Sequence, residues 1–156
     1  MSEKINECSF EARRHWMGVL ARADLADLES YWEREQDGVH YRHLRPSETG
    51  LVMARGRAGG NGQRFNLGEM TVTRCSLQFP GGIVGHGYVA GRDRRHAELA
   101  AAFDALLQLS ERRDQIQRHV IHPLKQKYIN EKESRSKKAA ATKVDFYTMV
   151  RGEDAS

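Results

Sequence analysis

Cysteines and long hydrophobic runs are both scarce in this sequence. Its two cysteines, Cys8 and Cys75, lie far apart and form no CxxC pair, so two free, mostly buried thiols are favoured over a disulfide. No apolar stretch approaches the roughly 18 residues that a membrane-spanning helix requires. No apolar signal core follows Lys4. We therefore expect a cytoplasmic protein that does not enter membranes.

Catalytic fingerprints are missing as well. Neither GxSxG nor HExxH occurs in the sequence. A Walker loop requires GxxxxGK[ST], but after Gly56 the second glycine position is Asn61. Gly85, Gly87 and Ala90 match GxGxxA formally, yet they fall within a predicted strand, whereas a dinucleotide fingerprint opens a helix. We therefore predict no catalytic residue in this chain.

The histidines do not form a recognisable metal site. His40 and His43 are three residues apart on a predicted strand, which directs them to opposite faces. His119 and His122 could share a helix face, but Pro123 follows at once and no carboxylate lies at i+4. Metal sites usually need three or four protein ligands, so no metal is expected.

Positive charge is confined to one segment. The chain has a formal net charge of +4, but residues 111–143 contain ten Lys and Arg against four Asp and Glu. The remaining residues contain fifteen basic and seventeen acidic side chains. The basic helix predicted over 125–143 is therefore interpreted as solvated or partner-facing. The alternative is an RNA-binding helix, which usually interleaves aromatic residues, and here only Tyr128 is available.

The pattern of residue types predicts three zones of secondary structure in one domain, residues 1–156. Ser9 and Asp24 are predicted to cap two helices between residues 9 and 36. Residues 39–91 hold eleven of the fourteen glycines and four short β-type runs, VHYRHLR, TGLVMARG, EMTVTRCSLQF and IVGHGYVA, which favour an antiparallel meander of about four strands. In the third run the apolar phase switches at Arg74, which predicts a bulge there or burial on both faces.

The third zone begins with Asp93 as a predicted cap for an amphipathic helix. Its apolar positions recur with helical spacing from Ala97 to Leu107, and further helices follow on both sides of Pro123. Residues 144–156 are predicted to form a terminal apolar arm. The fold class is therefore α+β: N-terminal helices, a small sheet, C-terminal helices and an extended C-terminal arm.

The glycine-rich run RAGGNGQRFNLGEMTVTRC, residues 57–75, allows two interpretations. Consecutive glycines can turn their amides inward and bind an anion, with Arg55, Arg57 and Arg64 supplying positive charge. They also provide the positive φ angles of a hairpin turn, around which arginines are simply solvated. Composition alone favours the hairpin turn.

Four blocks of the sequence are distinctive and occur in this order: RHWM (14–17), ETGLVMARGRAGGNGQRFNLGEMTVTRC (48–75), GYVAGRDRRHAELAAAFDALLQ (87–108) and VDFYTMVRG (144–152). Together they resemble the PhnG subunits of the bacterial carbon–phosphorus lyase system. The resemblance covers most of the chain, and the second and fourth blocks are its most specific parts.

The resemblance implies a role in organic phosphonate catabolism. PhnG-like proteins belong to a hetero-oligomeric core complex with H, I and J subunits, with the ATPase-like L and K subunits as possible further partners. The complex supports displacement of adenine from ATP by an alkylphosphonate, giving ribose 1-methylphosphonate 5-triphosphate. ATP is then a substrate of the complex, and the chain alone binds no cofactor. The chemistry is attributed to the I subunit, so this chain is expected to be an assembly subunit of a transferase complex and not to be catalytic when isolated.

Two groups of residues are predicted to serve that role. Arg64, Arg74 and Arg92, with His96 as a possible acid–base group, are predicted to contact a partner or phosphate groups, the partner being favoured. The apolar C-terminal residues are predicted to dock onto a partner: Val144, Phe146, Tyr147, Met149 and Arg151. The alternative function is a stand-alone anion- or RNA-binding module; as a complex subunit the chain is expected to bind no nucleic acid.

Overall fold

The structure is a computed structural model that describes residues 9–141. Its elements follow in the order α1 (Phe10–Leu20), α2 (Leu25–Glu35), β1 (Arg42–Arg57), β2 (Arg64–Gln78), β3 (Val84–Ala90), α3 (Arg94–Gln108), α4 (Ser110–Ile116) and α5 (His122–Ala141). A short 3₁₀ turn, Pro80–Gly82, precedes β3, and a π turn, Gln117–Ile121, joins α4 to α5. Helices, an antiparallel sheet and further helices confirm the α+β class.

The two N-terminal helices begin where their capping residues predict. Ser9 Oγ accepts a hydrogen bond from the Ala12 backbone N–H at 3.2 Å, which satisfies one of the free amides at the start of α1. Asp24 occupies the same position before α2 but makes no side-chain capping bond. Its carboxylate instead accepts from Lys127 Nζ at 2.6 Å, so this residue joins α2 to α5.

Within residues 9–141 the sheet has three antiparallel strands in the order β1-β2-β3, so the predicted count of about four strands was wrong. The first two predicted runs form one strand that continues through Pro46. Proline removes a backbone donor, but β1 is an edge strand and its register shifts between Arg45 and Glu48. Pro46 therefore sits at an irregularity on the edge, where a missing N–H breaks no ladder bond.

The change of apolar phase at Arg74 reflects burial on both faces of β2. The strand pairs with β3 without interruption from Val72 to Gln78, so it has no bulge at Arg74. The extra residue lies opposite, in β1, where Arg45 pairs with Ser76 and Glu48 with Arg74. Val72 is buried on the outer face, whereas the buried side chains from Thr73 onward at alternate positions face the helices.

Helix α3 packs directly on β3, and two glycines make this possible. A Cβ atom added to Gly87 would lie 1.9 Å from the backbone oxygen of Ala97, and one added to Gly85 would lie 2.0 Å from that of Ala101. The formal GxGxxA match at this position is therefore a packing device, since only glycine lets strand and helix backbones approach so closely. Alanines supply much of the buried face of α3.

One buried carboxylate fastens α1, α3 and β3 together. Asp104 on α3 is fully buried. Its side chain accepts hydrogen bonds from Arg13 Nη2 at 2.7 Å, Trp16 Nε1 at 2.9 Å and the His86 backbone N–H at 2.9 Å. Because a buried carboxylate without partners is strongly unfavourable, these donors are what allow Asp104 to lie inside the core.

The C-terminal helices run on through Pro123. Proline cannot donate to the preceding turn, and the π turn adjusts the ladder so that the His122 N–H reaches the carbonyl of Gln117, five residues back. Beyond this point α5 buries only Leu124 among its side chains. No helix between residues 9 and 141 has the length and apolar character required to span a membrane.

Candidate functional site

The far half of the β1–β2 hairpin is largely exposed. Strand β3 pairs only with Val72–Gln78 of β2. The pairs from Leu51↔Thr71 to Arg57↔Arg64 therefore continue beyond β3 as a two-stranded ribbon closed by residues 58–63. We call residues 51–71 the hairpin arm.

The hairpin arm exposes an unusual number of large apolar side chains. Five of them have between 42% and 64% of their surface exposed: Leu51, Met53, Phe65, Leu67 and Met70. An isolated two-stranded ribbon is only marginally stable in water, and large apolar side chains left exposed on both of its faces are typical of a site that contacts another molecule. The arm is therefore a candidate protein-binding surface.

A bulge in β2 sets which side chains share each face of the arm. The register passes from Ala54↔Gly68 to Arg55↔Asn66, which leaves Leu67 as an extra residue in β2. Leu67 then packs against Gly56, where an added Cβ would come within 2.7 Å of its Cδ1. Because one inserted residue reverses the alternation of a strand, the bulge places Phe65 opposite Gly56.

The tip of the arm is positively charged. Arg57 and Arg64 are directly opposite each other in the register, and Arg55 is two residues away on the same strand. Within residues 9–141, none of the three forms an ion pair with a carboxylate. Like charges directly across a strand pair are unfavourable, so the tip is suited to bind a carboxylate or another anion.

The turn at the tip has the geometry expected of a glycine-rich hairpin. Gly59 and Gly60 have positive φ angles of 57° and 81°, and the Gly62 N–H donates to the Ala58 carbonyl at 2.9 Å. The hairpin turn predicted for residues 57–75 is therefore confirmed, the anion-binding role of its arginines stays a prediction, and the predicted site residue Arg64 lies at the base of this turn.

Arg74 lies elsewhere, on the outer face of the sheet. Its Nε donates to Glu48 Oε1 at 2.6 Å, and Arg45 contacts the same carboxylate. Hydrogen bonds from Arg45 and then Arg74 lower the pKa of Glu48 below its usual value. Beside this group a shallow groove of about 270 Å³ is lined in part by Val72 and the exposed ring of Tyr88. The guanidinium of Arg74 is thus already paired within the chain, with a carboxylate that it shares with Arg45.

Arg92 and His96 lie at the start of α3. Arg92 is exposed and follows Gly91, whose φ is 94°. His96 donates its backbone N–H to Asp93 Oδ1 at 2.9 Å, which confirms Asp93 as the cap. The Nε2 atom of His96 lies 2.8 Å from the carbonyl oxygen of Leu20, and since a carbonyl can only accept, Nε2 is the protonated nitrogen. The imidazole therefore links α3 to α1.

The four predicted polar residues consequently lie on three separate parts of the fold: the arm tip, the middle of β2 and the start of α3. Their proposed contacts with a partner or phosphate stay predictions. The predicted C-terminal docking residues lie outside the described residues: Val144, Phe146, Tyr147, Met149 and Arg151. Cys8 also lies outside them. Cys75 is buried, and burial raises the pKa of its thiol.

A polar cluster around Glu98 was not predicted. Its carboxylate accepts from Tyr41 Oη at 3.0 Å and from Arg95 Nη1 at 3.1 Å, and it lies 3.3 Å from His43 Nε2. Burial, followed by the charge of Glu98, raises the pKa of Tyr41. No local spacing indicates this cluster, because 57 residues separate Tyr41 from Glu98. The described residues contain no group of three or more potential metal ligands.

Comparison with known proteins agrees with the exposed arm in suggesting a subunit of a larger assembly. The family model for the phosphonate metabolism protein PhnG matches residues 11–152. A protein of Rhizobium meliloti (strain 1021), named alpha-D-ribose 1-methylphosphonate 5-triphosphate synthase subunit PhnG, is 44% identical over 143 residues, which cover 91% of this chain and 90% of that protein. The chain therefore belongs to the PhnG family of phosphonate metabolism proteins.

Proposed function

We propose that this chain is a subunit of a synthase that makes alpha-D-ribose 1-methylphosphonate 5-triphosphate from ATP and methylphosphonate, with release of adenine. The name of the Rhizobium relative supports the product of this reaction. The hairpin arm supports the subunit role, because its apolar side chains are exposed on a ribbon that the rest of the described chain does not cover. The proposed partners are the H, I and J subunits of the carbon–phosphorus lyase core, with the L and K subunits as further partners.

The contribution of this chain is assembly, and the reacting groups come from its partners. The polar clusters of the described chain support this division. The Asp104 carboxylate is buried and accepts hydrogen bonds from Arg13, Trp16 and the His86 backbone N–H. The Glu98 carboxylate is likewise used by its three neighbours. These groups stabilise the packing of elements and are not free to act on a substrate.

Co-purification tests the assembly role. The partner subunits are co-expressed with this chain, one partner is affinity-tagged, and Leu67→Asp is compared with the wild type. Leu67 has 64% of its surface exposed, so a charge there should spare the monomer and penalise a buried interface by several kcal/mol. We expect the variant to be recovered at a small fraction of wild-type stoichiometry, with a parallel loss of adenine release.

Phe10→Asp is the matched control, because Phe10 is 79% exposed and lies on α1, away from the arm. Both variants are first checked for wild-type thermal unfolding. Full recovery of Leu67→Asp in the complex would contradict docking through the arm. Adenine release from ATP and methylphosphonate by the purified isolated chain would contradict a purely supporting role.

The same purification tests the stand-alone alternative. A nucleic-acid-binding module would copurify with nucleic acid that salt removes, because phosphate contacts weaken steeply with ionic strength. In that case α5 would be the binding element. One of its cations, Lys127, is already paired with Asp24 and Asp27 at 2.6 Å each, which is why assembly is favoured here.

A further inference from the structure

The two edges of the sheet differ in whether side chains from the rest of the fold bond to their backbone groups. The edge of β3 is closed by side chains. The His86 N–H donates to Asp104, and the Val84 carbonyl accepts from Arg13 Nη2 at 3.1 Å and from Gln108 Nε2 at 2.9 Å. The backbone groups of Val84 and His86 that would template another strand are thus already satisfied, which is one way proteins protect a sheet edge.

The edge of β1 is open. It is the first strand of the sheet order, and no strand in the described part of the chain pairs with its other side. Its first half is protected by Pro46 and by two register shifts between His43 and Glu48. From Glu48 to Ala54 the pairing with β2 is regular, so alternate N–H and C=O groups point outward in a continuous row.

This regular stretch also lacks the usual charged protection. In the sequence ETGLVMA, residues 48–54, the one charged residue is Glu48, and it is paired with Arg45 and Arg74. Natural edge strands normally contain lysine, proline or a bulge to prevent pairing with another chain. An unprotected edge beside exposed Leu51 and Met53 is a feature of strands that receive a partner strand.

We propose that an extended segment of a partner subunit pairs with residues 48–54 of β1 as a fourth strand of the sheet, and this rests on the subunit role proposed above. We expect that segment to have apolar side chains at alternate positions, because they would pack against Leu51 and Met53. Arg55 and Arg57 follow directly and have no carboxylate partner within residues 9–141. The segment therefore has carboxylates at the end that lies next to the arm tip.

A second copy of this chain does not meet these requirements. Antiparallel pairing of two β1 strands would bring the Arg42 and Arg45 end of one copy against the Arg55 and Arg57 end of the other. Like charges opposed across strands are destabilising. The charge pattern of β1 therefore selects a partner of different, acidic composition and disfavours self-association.

Hydrogen–deuterium exchange, resolved residue by residue with fragmentation mass spectrometry, tests strand addition. In the isolated chain, alternate amides between residues 48 and 54 should exchange rapidly while the others, bonded to β2, are protected. In the complex with the H, I and J subunits the rapid set should slow about tenfold or more, because each amide gains a ladder bond. If the complex forms but the rapid set exchanges as before, strand addition is refuted and the subunit role survives. If no complex forms, the subunit role itself fails.

Charge reversal tests the acidic character of the segment. The double variant Arg55→Glu/Arg57→Glu should bind the partners about tenfold more weakly or worse. The control Arg14→Glu/Arg34→Glu alters two exposed arginines on α1 and α2 and should bind as the wild type does. Equal affinity of all three proteins would refute carboxylates at the tip. A stable dimer of the isolated chain in sedimentation velocity, lost in the Arg55→Glu/Arg57→Glu variant, would show that a second copy is the occupant.

Discussion

Replacing Gly87 with alanine tests the close packing of β3 on α3. The added Cβ would lie 1.9 Å from the Ala97 oxygen, 2.9 Å from the Ala97 carbonyl carbon and 3.0 Å from the Ala101 nitrogen. All three are backbone atoms of a central helix, so none can rotate away as a side chain would. Strand and helix must separate instead, which opens the contact that buries most of α3.

The expected cost is large for a single methyl group. Overpacking a well-packed interior typically costs about 1–3 kcal/mol and sometimes more, and contact with backbone places Gly87→Ala at about 3 kcal/mol or above. For a chain of this size each kcal/mol lowers the melting temperature by about 2–4 °C, so a decrease of about 6–12 °C is expected. Urea titration followed by far-UV circular dichroism gives the free energy, and a thermal scan gives the midpoint.

Gly50→Ala is the matched control. Gly50 lies in β1, and an added Cβ would have no atom within 4 Å. Its change in the free energy of unfolding should stay within about 0.5 kcal/mol. If Gly87→Ala also stays within that range, the strand and helix can separate at little cost, and the packing explanation of the GxGxxA match is incorrect.

Three further outcomes are expected. Asp104→Ala should destabilise the chain by about 3–5 kcal/mol in urea titration, because Arg13, Trp16 and the His86 backbone N–H lose their buried acceptor, whereas a loss below about 1 kcal/mol would contradict its fastening role. The pKa of Tyr41 is raised in the folded state. The stability that this shift contributes is therefore complete below the unfolded pKa near 10 and is lost as the pH rises above that value. Tyr41→Phe should reduce this alkaline loss of stability in unfolding titrations between neutral and alkaline pH. In a Cys8→Ser background, iodoacetamide at pH 8 should label Cys75 only after denaturation, because burial raises its thiol pKa; rapid labelling of the folded chain would show that the core opens there.

The helices could be predicted well because their signals are local. Ser9 and Asp93 each accept a hydrogen bond from an amide three residues on, and the apolar spacing of α3 lies within one element. Pro46 misled the strand prediction for the opposite reason. A proline either ends a strand or is tolerated on the edge of a sheet, depending on which strands lie beside it. The residues next to the proline in the sequence do not indicate which of the two occurs.

The candidate site depended even more on distant contacts. A glycine-rich hairpin with arginines was visible in the sequence, but its projection follows from β3 ending at Ala90 while β1 and β2 continue. Asp104 was hidden among apolar residues because its partners Arg13 and Trp16 are 91 and 88 residues away. The periodicity of a helix or strand cannot predict such hydrogen-bonded pairs, because the two partners meet only when separate elements pack together.

The exposed arm also bears on how the cell must produce this protein. A copy without its partner presents an unprotected strand edge beside apolar side chains, and such surfaces lead to aggregation and to removal by proteases. The steady-state amount of this chain should therefore follow the supply of its partners. Co-translation from one message at matched levels would protect it, whereas overproduction alone should send the excess into inclusion bodies.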